Sequence, residues 1–145
     1  MDIARAKADD KAGWLPLWQA YLDFYRHALD DEVTDLTFAR LLDPTEPMAM
    51  FLARGEGGLC GFVTFVVHRS TWARTHYVYL EDLWVESDMR GRGVARRLIA
   101  AVVDHARELG AERVYWVTHS HNAVARALYD KVADLPDLIT YIARS

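Results

Sequence analysis

The chain has a single cysteine, Cys60, so no disulfide can close within it and a reducing, cytoplasmic setting is expected. No apolar run approaches bilayer-spanning length, and the opening residues Met1-Asp2-Ile3-Ala4-Arg5 lack the apolar core of a secretory signal, so no membrane partner is expected. A basic stripe is also missing. Asp and Glu outnumber Lys and Arg by ten to five up to residue 50, and the net charge over 145 residues is −4. That balance argues against nucleic acid and leans toward a cationic small molecule or a basic peptide. With no internal repeat and no linker, one domain over residues 1–145 is expected.

What the chain does have is centred on Tyr79–Leu98, YLEDLWVESDMRGRGVARRL. A β-prone run carries two acids, Glu81 and Asp82, in its middle, and a short polar link leads to Arg90-Gly91-Arg92-Gly93-Val94-Ala95. Glycines between a strand and a helix permit a tight turn and close approach of a ligand. The first helical turn leaves N–H groups unpaired at the positive end of the dipole, which suits an anion such as phosphate. Arg90 and Arg92 add charge at the rim. The third glycine of a dinucleotide-binding turn and the Gly-Lys-Ser/Thr of a P-loop are both absent.

In chain order, Ile3–Ala6 reads as a short strand, and apolar residues from Trp14 to Leu29 recur at helical spacing, with Asp9 or Asp10 as a cap. Trp18, Tyr21 and Tyr25 on that helix are candidates for core packing or a pocket wall. A second helix covers Thr34–Leu42. Strands over Met48–Ala53, Leu59–His68 and Thr75–Val85 form an antiparallel meander. A helix from Val94 to Leu109 with a stop at Gly110, followed by a strand Arg113–Thr118, makes a parallel βαβ unit. A helix over Ala123–Val132 and a last strand over Leu138–Ala143 complete the reading.

Three stretches in this order resemble the GCN5-related N-acetyltransferase (GNAT) family: Arg90–Ala95, which matches its Q/R-x-x-G-x-G/A motif, the strand Tyr79–Val85, and Asn122–Lys131 with its Leu128-Tyr129 pair. The pattern is most similar to the polyamine acetyltransferases and small histone-acetyltransferase-like proteins. The resemblance implies an α/β fold with a mixed sheet of about seven strands flanked by helices around a central βαβ unit. It implies acetyl-CoA as donor, direct transfer to a primary amine, and a homodimer. Carried over by position, backbone from Arg92 to Ala95 holds the pyrophosphate, with Arg90 and Gly91 in the same turn. Leu83, Trp84, Val85 and Asn122 meet the pantetheine arm, Glu81 is the base, and Tyr129 stands at the sulfur. The segment Ala133–Leu138 departs from the family by lacking a Gly-Phe pair.

An alkylamine of pKa near ~10.4 must lose a proton before attack, and a carboxylate near ~4.3 takes it most credibly through water. A phenol near ~10 is matched to a thiolate leaving group near ~8.5. Adjacent acids in a regular strand face opposite sides, so only one of Glu81 and Asp82 should reach the cleft; regular alternation groups Asp82 with Leu80 and Trp84, although a bulge would change that. His119 and His121 could be exposed strand-end residues, substrate contacts or half of a metal pair; no metal site is assigned. Cys60 reads as a small buried hydrophobe. A non-catalytic acyl-CoA sensor is the rival class.

Overall fold

A computed structural model describes all residues, 1–145. Five strands, β1 (Asp2–Arg5), β2 (Met48–Gly55), β3 (Gly58–His68), β4 (Tyr77–Val85) and β5 (Arg113–Tyr115), lie side by side in chain order. The first four pair antiparallel, and β5 runs parallel to β4. The helices are α1 (Lys11–Phe24), α2 (Asp31–Leu42), α3 (Val94–Glu108) and α4 (Ala123–Val132).

Two apolar clusters sandwich the sheet. On one face Trp14, Leu17, Trp18 and Leu22 of α1 and Phe38 and Leu41 of α2 close over Met50, Leu52 and Phe62. On the other, α3 lays Val94, Leu98, Ile99, Val102 and Ala106 against Val63, Phe65, Val78, Leu80 and Val85. This is the apolar face predicted from helical spacing, and each fully buried Leu or Val in it contributes about 1.5–3 kcal/mol. Gly110, at φ 71°, ends the helix, and the βαβ unit forms as expected. Asp10 sits where α1 begins but does not cap it with its side chain; its carboxylate accepts from the Lys7 amide at 2.8 Å and pairs with Arg54 at 2.7 Å.

The expectation of about seven strands is corrected here: the sheet has five. β5 stops at Tyr115 rather than Thr118, and Leu138–Ala143 does not form a strand. That segment has the side-chain pattern of a strand but no neighbouring backbone to pair with. Its one backbone hydrogen bond runs locally from Leu138 N–H to the Pro136 carbonyl at 2.9 Å.

Candidate active site

The register between β3 and β4 slips where the two acids lie. Thr64 pairs with Asp82 and Phe65 with Leu80, so Glu81 is an extra residue on β4, a β-bulge. The bulge reverses the side-chain alternation. Val78 and Leu80 pack under α3, whereas Trp84, with the parity of Leu80, packs on the α1 side. Sequence alternation had placed Asp82, Leu80 and Trp84 on one face and let only one acid reach the cleft. In the structure Glu81 and Asp82 both line a cavity of about 350 Å³, together with Trp18, Tyr21, Tyr25, His27 and Thr64.

Asp82 is held from both sides. The Tyr21 hydroxyl donates to Oδ1 at 2.6 Å and the Thr64 hydroxyl to Oδ2 at 2.6 Å, while the Asp82 amide donates to Thr64 Oγ1 at 3.1 Å. Burial pushes the Asp82 carboxyl above its ordinary pKa, against the lowering effect of these two hydroxyls. Burial also raises Glu81, and the neighbouring Asp82 charge adds to the shift. Tyr21 is raised by burial and then by Asp82, so its phenol stays protonated and donates. Tyr21 in turn lies against Trp18, Tyr25, Phe62 and Trp84, with ring centroids 5.1–6.2 Å away.

Beside the acids, β4 loses its parallel neighbour. β5 pairs only with Tyr77–Tyr79, so from Leu80 through Leu83, Trp84 and Val85 one edge of β4 carries no strand. Past this gap the chain turns through Gly91 (φ 77°) and Gly93 (φ 79°) into α3. Both angles lie in the left-handed region that glycine tolerates, and a Cβ added at either would meet nothing within 4 Å. The amides of Val94, Ala95 and Arg96 donate to no carbonyl, and no side chain caps the helix. Arg92 is exposed beside them. Arg90 turns back over β4, donating from Nε to the Val85 carbonyl at 3.0 Å with its guanidinium 4.7 Å above the Trp84 ring.

Tyr129 projects from α4 toward this region, packed edge-on against Trp116 with centroids 5.4 Å apart. Burial raises its pKa, and Tyr25 of the cavity wall is close enough to raise it further. Asn122 caps α4, accepting from the Ala125 amide at 3.4 Å. His119 and His121 stack at 5.3 Å, and His119 faces Tyr25 at 5.8 Å; no third ligand-type side chain joins them. Cys60 is buried. Sequence reasoning left Asp82, Tyr21 and Thr64 without a shared role. The signal available was Thr64, a lone hydroxyl within the apolar run Phe62–Val67.

Residues 14–133 match the acetyltransferase (GNAT) family. The chain belongs to that family. It is 38% identical over 134 residues to the D-amino-acid N-acetyltransferase of Saccharomyces cerevisiae, covering 91% of this chain and 83% of that protein. An uncharacterized N-acetyltransferase of Bacillus subtilis is 31% identical over 131 residues, covering 90% and 87%. Among solved structures, a ribosomal-protein-alanine N-acetyltransferase from Brucella melitensis biovar Abortus 2308 superimposes with a TM-score of 0.81 at 26% identity, covering 100% of both chains. This GNAT protein is therefore an acetyl-CoA-dependent N-acetyltransferase. The first amides of α3 are free to donate, and β4 beyond Tyr79 carries no paired strand on its β5 side. No helix is long and apolar enough to cross a membrane.

Proposed function

We propose that the acceptor is a small primary amine that enters as a cation between Tyr21, Tyr25 and the paired carboxylates. The observation that carries this reading is the bulge at Glu81, which puts two acids into one aromatic-walled cavity whose lining includes no Lys or Arg. An ammonium group gains charge-assisted hydrogen bonds there, and the tyrosine faces favour a cation.

Acetyl-CoA supplies an activated acetyl thioester. Backbone N–H groups of Arg92–Ala95, with Gly91 in the same turn and the exposed Arg92 side chain beside them, hold its diphosphate. Arg90 stays folded over β4 and reaches that turn only by leaving the Val85 carbonyl. β4 from Leu83 to Val85, with Asn122, aligns the arm. Glu81 takes the ammonium proton through water. Its burial makes it a better acceptor than an ordinary carboxylate, because a higher pKa lies closer to that of the proton donor. Asp82, fixed by Tyr21 and Thr64, orients the ammonium. The Tyr129 hydroxyl, kept protonated by burial, donates to the departing sulfur. A β4 amide polarises the carbonyl where negative charge develops. Residues 1–145 act in this reading as one cytoplasmic unit, assembled as a homodimer.

The test is thiol release from acetyl-CoA across a panel of polyamines, lysine peptides and D- and L-amino acids. Turnover with amines lacking a carboxylate, abolished in Asp82→Asn by a rise in KM, supports the cationic acceptor. Loss of turnover with every amine tested would remove it. A second reading is a D-amino acid, favoured by the identity to the yeast enzyme and by His27 in the cavity wall, whose ring N–H can donate to a carboxylate. Selective turnover of D-amino acids, lost in His27→Ala, would establish it.

A further inference from the structure

Val78, Leu80, Val114 and Trp116 pack toward α3. By alternation Tyr77 and Tyr79 of β4 and Arg113 and Tyr115 of β5 stand on the opposite face, the one that α1 and α2 cover further across the sheet. The three tyrosines join neither apolar cluster and stay half-buried, a floor of aromatic rings open to solvent.

The floor is continuous and stiff. Tyr79 and Tyr115 have ring centroids 5.1 Å apart, Tyr77 and Tyr115 6.3 Å, and His68 of β3 lies 5.7 Å from Tyr115 and 6.0 Å from Tyr77. His68 Nδ1 is 2.7 Å from the Arg69 carbonyl oxygen, which can only accept, so Nδ1 carries the proton. In the neutral ring Nε2 then accepts from the Tyr115 hydroxyl at 2.7 Å, and that bond fixes the Tyr115 ring.

Its two ends differ in charge. One end meets the acceptor cavity: Tyr79 pairs with Val66 and Val66 with Met48, a residue of the cavity wall, and Glu81 follows two places after Tyr79. At the other end the Arg113 guanidinium lies 4.6 Å from the centre of the Tyr77 ring and has no acidic partner. Tyr77 pairs with His68 and Asp82 with Thr64, four steps of about 3.3 Å along β3, so the acids and the arginine row stand about 13 Å apart.

We propose that this floor is a second acceptor subsite, holding an extended peptide of about four residues with its amine at Glu81 and Asp82 and its carboxylate at Arg113. Tyrosine rings offer such a chain rigid apolar area with polar tips, and an arginine fork fits a carboxylate. A free amino acid is too short to reach both ends. The assignment rests on the cationic-acceptor reading above and adds the molecule that lies behind the amine.

The test is an NMR titration of the full chain with tetraalanine, its carboxy-terminal amide and dialanine, with thiol release from acetyl-CoA followed in parallel. Tetraalanine should bind about fivefold more tightly than either of the others, with shifts centred on Tyr77, Tyr79 and Tyr115. Arg113→Gln should erase the preference for the free acid while turnover of a short diamine stays unchanged, and Tyr115→Ala should weaken both tetrapeptides. Should a variant fail to fold, the comparison of acid, amide and length on the unaltered chain still decides. Equal binding of acid and amide, dialanine binding as tightly, or a preference that survives Arg113→Gln overturns the subsite. So do tyrosine signals that move with protein concentration and not with peptide, the mark of a floor covered by a second copy. Small amines turned over without any acid-over-amide preference remove only the floor. Tetraalanine seated there with no thiol release from any amine removes the catalytic reading and with it the acceptor role.

Discussion

Residues 1–106 and the residues after them fold by different means. All 25 buried residues lie in the first region, most of them packed on the two faces of the sheet, and none lies beyond Ala106. α3 and α4 are both amphipathic, yet α3 buries five residues and α4 buries none. The first region is a sandwich whose two apolar clusters are closed within one chain. The second has apolar residues of the same types but a three-residue strand and an open edge to receive them. Identical patterning thus ends in different burial, because a helix or strand is stabilised by what covers it and not by its own periodicity.

The proposed reaction would join the two regions, and the largest expected effects test that join. Glu81→Gln, from the packed region, and Tyr129→Phe, from the other, should each lower turnover at least about tenfold with acetyl-CoA binding intact, within the range that acid–base groups contribute. Normal single-turnover rates in both variants would remove their assigned roles. Next in size is Leu98→Ala beneath the sheet, expected to cost about 2–5 kcal/mol in denaturant unfolding. By contrast Val124→Ala on α4, where the side chain is 85% exposed, should stay within about 0.5 kcal/mol. Equal costs would erase the contrast between the regions.

Smaller effects refine it. Gly61→Ala would place a Cβ 2.9 Å from the Trp84 carbonyl, and overpacking of this kind costs about 1–3 kcal/mol. Because the obstacle is backbone, β4 must move, so the thermal midpoint and acetyl-CoA affinity should fall together. The acids set a pH dependence. Folded Asp82 and Glu81 hold their protons to higher pH than they do in the unfolded chain. As pH rises from the ordinary carboxylate range through their raised values, the folded state binds more protons and stability declines. Asp82→Asn should flatten that decline, which urea midpoints across the acid range would show.

Much of the frame was legible in the residues. The α3 seam, the Gly91–Gly93 turn and the β2–β4 meander rest on local periodicity and turn chemistry, which one chain carries in full. Less was legible at the site. The bulge at Glu81 has no composition of its own; it appears only in the pairing of β4 with Thr64 and Phe65. The contact between Tyr21 and Asp82 spans 61 positions and depends on how α1 crosses the sheet. The expected sixth strand failed for another reason: Leu138–Ala143 has strand patterning, but pairing needs a second backbone, and patterning cannot say where that lies. The seventh came from the family resemblance alone and had no segment of this chain behind it.

One irregular residue has an effect out of proportion to its size. Had β4 counted evenly from Leu80, Asp82 would have faced the methyl groups beneath α3 and Glu81 alone would have stood on the Tyr21 side. Deleting Glu81 would leave Asp82 opposite Thr64 and Leu80 opposite Phe65, in a straight strand with one acid fewer at the cavity. The extra residue is thus how a single strand presents two neighbouring carboxylates to one side, and a one-residue length difference there changes the charge of the chamber with composition and helices almost unchanged.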